Sequence, residues 1–172
     1  MGHHEHKLSA PKTVKLAIIT VSDTRNMETD TSGNTICGLL EGTGHEVVSR
    51  GIVRDERDEI AGMLKRTACA CPGVQAIIIN GGTGIAPRDN TLEAIAPLFE
   101  KRIPGFGELF RMLSFNEIGA SAMMSRADAG TMRGAGGNVV VMALPGSTNG
   151  CRLAVERIIL PELGHMVMEA NK

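Results

Sequence analysis

The residues with the most chemistry to offer are two aspartates, Asp55 and Asp89, and a glycine-rich stretch at 80–89 (NGGTGIAPRD). Gly81, Gly82 and Gly84 let the backbone turn through positive φ and approach a ligand closely, exposing N–H groups to an anion. Thr83 adds a hydroxyl, and the Arg88 guanidinium can fork onto a phosphate. A helix starting after the loop adds its positive end. Asp55 and Asp89 together can hold one Mg2+ that bridges substrate phosphates, which suits phosphoryl or nucleotidyl transfer. Each residue also has a plainer reading: GGTG as a tight turn, Asp55 as a helix N-cap, Asp89 as a turn former before Thr91. The loop is not a Walker A sequence, because no GK[ST] follows its glycines. Nor is it the dinucleotide fingerprint, because SDTR rather than G-x-G-x-x-G follows the first apolar run.

These residues need elements to position them. Residues 14–21 (VKLAIITV) and 74–79 (VQAIII) are short, apolar and rich in branched side chains, the pattern of strands covered on both faces. Residues 47–53 form a further strand. Helical spacing runs over 34–41, from Asp55 to about Ala70, from an N-cap at Thr91 to about Glu100, over 107–115 and over 149–160. Short helices are expected over 121–125 and from Pro161. Residues 127–132 and 138–144 flank Gly134-Ala135-Gly136-Gly137 and read as a hairpin. Strands alternating with helices imply an α/β fold. It is a three-layer αβα arrangement whose mostly parallel sheet carries an antiparallel strand near one edge.

In such a sheet, ligands bind beyond the carboxyl ends of the strands. Four polar loops follow strands, at 22–33, 54–58, 81–90 and 145–150, and parallel strands would gather all four on one rim. The first opens with Ser22 and Asp23 and closes with Thr31, Ser32 and Gly33, which can cap the next helix or bind an anion there. The last, Pro145-Gly146-Ser147-Thr148, can contact phosphate or simply cap a helix. Ser114 has no claim from its own context. No Ser-His-Asp set is present, and His45 and His165 read as packing or solvent-facing residues.

The bulk numbers exclude several classes. The chain has 172 residues, enough for one domain, with 18 Lys+Arg against 19 Asp+Glu and a net charge of −1. That balance gives no general attraction for nucleic acid or anionic membrane. Aromatics make up 2%, with no Trp or Tyr, so platforms for stacking bases are nearly absent. No apolar run approaches the roughly 18 residues that span a bilayer. Cys37, Cys69, Cys71 and Cys151 are irregularly spaced and read as reduced thiols in a cytoplasm. Residues 1–12, with His3, His4 and His6, read as a disordered leader before a single domain at 13–172.

In combination the motifs become specific. Residues 20–23, 30–33, 79–91 (INGGTGIAPRDNT), 104–115 (PGFGELFRMLSF) and 144–148 (LPGST) occur in the order found in the MogA/MoaB family of molybdenum-cofactor biosynthesis proteins, which includes the G domain of gephyrin. The chain resembles that family from about Val14 to His165, and PGFGE-x-FRMLSF is closer to the MoaB branch. The resemblance implies a molybdopterin adenylyltransferase using ATP and molybdopterin as substrates, with Mg2+ required. The terminal phosphate of molybdopterin attacks the α-phosphate of ATP and pyrophosphate leaves. The family's two important aspartates match Asp55 and Asp89, the expected catalytic and Mg2+-holding pair. The nucleotide and pterin phosphates would then lie among Ser22, Asp23, Thr31, Ser32, Gly33, Gly81, Gly82, Thr83, Gly84, Arg88, Ser114, Pro145, Gly146, Ser147 and Thr148. The resemblance also implies a homotrimer or homohexamer, with apolar residues at 106–112 and Met123-Met124 as interface candidates, and possible contacts with other proteins of the pathway. A second function within the same family is a non-catalytic molybdopterin-binding or scaffold protein of the MoaB type.

Overall fold

The computed structural model describes residues 10–172. Its centre is a six-stranded sheet built from β1 (Lys15–Val21), β2 (Glu46–Val53), β3 (Ala76–Asn80), β4 (Lys101–Arg102), β5 (Asp128–Gly134) and β6 (Gly137–Leu144), in the order β2-β1-β3-β6-β5-β4. β2, β1, β3 and β6 run parallel; β5 is antiparallel to both its neighbours. This is the expected sheet, with the antiparallel strand one place in from the edge. β4 lies outside the expected elements: two exposed residues carry no periodicity to read. Arg102 pairs there with the buried Asp128 of β5.

Alternation along the strands sends side chains to two cores. Leu16, Ile18, Ile78, Val140 and Met142 pack under α1 (Thr31–Leu40), α4 (Pro104–Ile118), α5 (Thr148–Ala154) and α6 (Leu160–Ala170). Ala17, Ile19, Ile77, Ile79 and Val141 pack on the other side under α2 (Arg57–Ala70) and α3 (Thr91–Ile95). Burial on both faces explains why residues 14–21 and 74–79 are mostly apolar rather than alternating.

Several helix ends differ from the sequence expectation. Asp30 is the N-cap of α1, accepting a hydrogen bond from the Gly33 N–H, so Thr31, Ser32 and Gly33 form its first turn. Glu56, not Asp55, precedes α2. Asn90 takes the cap position of α3 and Thr91 is its first residue. That helix stops at Ile95 and passes into a 3-10 turn over Ala96–Leu98, because Pro97 has no N–H to continue the α pattern. Pro104 opens α4, three residues before the expected start at 107, and its missing N–H is harmless there. Residues 148–170 form one continuous helical run, with a π turn at Val155–Ile159 between α5 and α6.

The leader expected over 1–12 falls outside the described residues except for its last three. Of these, Pro11 lies against α6, where its carbonyl oxygen fills the space a side chain at Gly164 would need. Among the described residues no helix is long and apolar enough to cross a membrane. The four cysteines are free thiols, and burial pushes that of Cys151 up to about 12.

Candidate active site

The four parallel strands deliver their following loops to one rim, as the spacing of the polar loops implied. There Val21, Ser22, Asp23, Thr24, Asp55, Gly82, Arg88 and Asp89 line a cleft of about 190 Å³. Ser114, Pro145 and Ser147 line a separate cleft of about 70 Å³, walled by Phe110, Gly150 and Leu153. Gly146, between Pro145 and Ser147, comes close to the residue before Gly82: a Cβ on Gly146 would stand 3.2 Å from the Gly81 Cα. Ser147 caps α5 by accepting from the Gly150 N–H at 3.2 Å, and Thr148 is that helix's first residue.

The glycine loop has a consistent polarity. The Gly81 carbonyl accepts from the Thr91 hydroxyl at 2.8 Å, and the Gly82 carbonyl from the Thr91 N–H at 2.9 Å. The Thr83 carbonyl accepts from Arg126 Nε at 2.8 Å. In a planar trans peptide the C=O and the following N–H point oppositely. Three carbonyls pinned on one side therefore turn the N–H groups of Gly82, Thr83 and Gly84 to the other. Among the described residues these three, and that of Ile85, donate no hydrogen bond within the protein. A run of unpaired amides is the elementary form of an anion site. Gly82 is held at φ +60, between Asp55 and Thr91, and a Cβ there would overlap the Asp55 Oδ2 atom and stand 2.5 Å from Thr91 Oγ1. Thr83 itself is buried.

Asn90 organises the carboxylates. Its N–H donates to Asp55 Oδ1 at 3.0 Å and its side-chain amide to the Asp55 carbonyl at 3.0 Å, while Arg57 Nε holds its Oδ1 at 3.1 Å. The Asp55 N–H donates to Asp23 Oδ1 at 3.1 Å, and the Ala86 N–H to Asp89 Oδ2 at 2.8 Å. Asp55 Oδ2 and Asp89 Oδ1 accept no hydrogen bond among the described residues, and the exposed Arg88 guanidinium has no ion-pair partner there. Partial burial pushes the Asp55 carboxyl above its ordinary value. The Asn90 N–H pulls it back, the charges of Asp89 and Asp23 push it up, and Arg88 pulls it down. Among the described residues no three His, Cys, Asp or Glu side chains form a ready metal cage. Mg2+ does not require one: it is typically held by one or two carboxylates, waters and substrate phosphates. Asp55 and Asp89, each with an oxygen to spare, fit that pattern.

Behind the rim lies a buried polar hub that sequence reasoning missed. Asp30 receives four donors: the Thr20 hydroxyl at 2.8 Å, the Gly33 N–H at 2.9 Å, Arg50 Nη2 at 3.0 Å and the Ser32 hydroxyl at 3.3 Å. The Asn80 side-chain amide donates to Ser32 Oγ at 2.9 Å. Ser32 and Gly33 thus face this hub, whereas Thr31 is exposed at the start of α1. A signal did exist: Thr20 and Asn80 are polar residues at the ends of otherwise apolar strands, and Arg50 interrupts β2. Arg126 and Glu93 had none, since neither belongs to a motif.

The chain resembles known proteins over nearly all of its length. Residues 17–165 match a family model described as "Probable molybdopterin binding domain". The chain is 47% identical over 173 residues to molybdenum cofactor biosynthesis protein B of Bacillus subtilis (strain 168), covering all of this chain and 99% of the relative. A crystal structure of a molybdenum cofactor biosynthesis protein B superposes with a TM-score of 0.86 at 47% identity, covering 94% of this chain and 98% of the other. That of the tungsten cofactor synthesizing protein MoaB from Pyrococcus furiosus gives 0.83 at 39%, covering 95% and 100%.

Proposed function

The chain belongs to the MogA/MoaB family of molybdenum-cofactor biosynthesis proteins, and we propose that within it the protein adenylylates molybdopterin from Mg-ATP, releasing pyrophosphate. The observation that carries this reading is a cleft lined by Asp55, Asp89 and Gly82, where Gly82 is the first of four successive residues whose amides donate no hydrogen bond among the described residues.

The chemistry asks little of a general base. The nucleophile is an oxygen of the molybdopterin phosphate, already anionic. It bonds to the α-phosphorus of ATP as the bond to the pyrophosphate oxygen breaks. The barrier is charge repulsion and alignment. The amides of Gly82, Thr83 and Gly84 orient phosphate oxygens with fixed dipoles, and Arg88 adds a cation at the mouth. Asp55 and Asp89 would hold Mg2+, which would neutralise charge on the phosphates. Asn90 keeps Asp55 in place before any ligand arrives. The second cleft, around Ser114 and Ser147, offers hydroxyls for the other substrate.

The test is incubation of the purified protein with molybdopterin, ATP and Mg2+. Adenylyl-molybdopterin is the expected product. Its absence under conditions where an established enzyme works overturns the reading, and tight, ATP-independent molybdopterin binding would then favour a carrier or scaffold. We also infer self-association as a trimer or a pair of trimers. Leu109, Met112, Phe115, Met123 and Met124 are all about half exposed or more along α4 and the turn after it, a larger apolar surface than scattered single residues make.

A further inference from the structure

We propose that Arg126, held by Glu93, is a positioning residue of the glycine loop: it pins the Thr83 carbonyl and so keeps the Gly84 N–H turned toward a bound phosphate. The inference rests on the phosphate reading of that loop.

Arg126 lies 43 residues from Thr83 in sequence, in the segment entering β5. Each of its three guanidinium nitrogens donates a hydrogen bond. Nε donates to the Thr83 carbonyl at 2.8 Å, while Nη1 and Nη2 reach the two Glu93 oxygens at 2.6 and 3.3 Å. The rigid planar fork serves the carbonyl and both carboxylate oxygens in one fixed geometry, which a lysine ammonium on its flexible stem does not reproduce. Glu93 stands in the first turn of α3, so the pair ties the loop to the helix that follows it. Hydrogen bonding from Arg126 holds the Glu93 carboxyl below its usual range, which keeps it ionised.

The need for this clamp is local. Thr91, fully buried, fixes the peptides after Gly81 and Gly82 from the start of α3. The peptide between Thr83 and Gly84 has no such neighbour. A glycine at 84 makes rotation of that peptide cheap, because no Cβ resists it. Arg126 supplies the missing restraint. Both partners are about one-third exposed, and an ion pair so placed adds little to stability, so anchoring the fold is a weak reason for it.

The experiment is titration of the 15N-labelled protein with Mg-pyrophosphate, following the amides of Gly82, Thr83 and Gly84, with thermal melts of each variant. In the wild type all three amides are expected to shift together. In Arg126→Met the Gly84 response should vanish while those of Gly82 and Thr83 persist, with affinity down about tenfold, the loss of one charge-assisted bond to the anion, and little change in melting temperature. Arg126→Lys should rescue less than half of that loss. Glu93→Gln, which keeps the cation but loosens its aim, should weaken the Gly84 response and serves if Arg126→Met does not fold. An unchanged Gly84 response and affinity in whichever of these variants folds overturns the inference. A wild type in which no loop amide responds overturns the phosphate reading along with it.

Discussion

Arg50 Nη2 lies 3.0 Å from Asp30 Oδ2, joining the second strand to the N-cap of the first helix through a carboxylate that is almost wholly buried. With the Thr20, Ser32 and Gly33 donors, all four lone-pair directions of that carboxylate are used. Removing Arg50 leaves the buried charge hydrogen-bonded but without its counter-ion. Arg50→Met should destabilise the protein by about 3 kcal/mol, measured by urea unfolding. The double variant Arg50→Met, Asp30→Asn should recover part of that loss, since the stranded charge is then gone.

Asp55 ties stability to function with opposite signs. Its carboxyl is raised in the folded protein, so ionising it opposes folding. The stability it contributes is present below the ordinary aspartate value and is lost as pH rises through the raised folded value. Asp55→Asn should therefore melt higher than the wild type at pH 7, and the gap should narrow at pH 4. Turnover should be abolished in the same variant. Asp89→Asn should also abolish turnover while leaving the melting temperature unchanged, because its oxygen can still accept from the Ala86 N–H.

Gly82→Ala should be far more damaging than its size suggests. Alanine at φ +60 costs about 1–2 kcal/mol, and its Cβ would displace the Asp55 carboxylate. Turnover should fall by about 100-fold or more, the usual consequence of moving a reacting group by an ångström. Steady-state kinetics beside a thermal melt separates the two effects.

Thr91→Val keeps the shape but removes the hydroxyl that holds the Gly81 carbonyl. It should cost about 1–2 kcal/mol in unfolding free energy and weaken pyrophosphate binding, measured by calorimetry.

Phe115→Glu places a charge on the exposed apolar face of α4. Light scattering at micromolar concentration should show a monomer for this variant and a multiple of three for the parent.

Much of this was legible beforehand, for identifiable reasons. β1 and β3 announced themselves because burial on both faces left them apolar along most of their length. The glycine loop did so because three glycines beside an Arg-Asp pair offer both close backbone approach and charge. The hairpin followed from its glycine turn. The hub around Asp30 was harder, because its members lie on three strand ends and a cap and meet only when the sheet forms. Asn90 only closed a polar loop in the sequence, yet it carries hydrogen bonds that hold Asp55. Arg126 was invisible, since a lone arginine before a strand has no local pattern and acquires its role from residues 33 and 43 positions away. β4 escaped because two residues cannot show a period.

Gly81 and Thr91 close a ring on themselves, hydroxyl to carbonyl, across ten residues. Such a ring behaves as a ruler. Residues such as Ile85 and Ala86, exposed along its outer edge, can vary in kind. Their number cannot, because one residue more or fewer would carry Thr91 out of reach and release the carbonyls it holds. Among descendants of this chain, substitutions should accumulate in the loop while insertions and deletions are purged, leaving an interval of fixed length as the durable mark of the site.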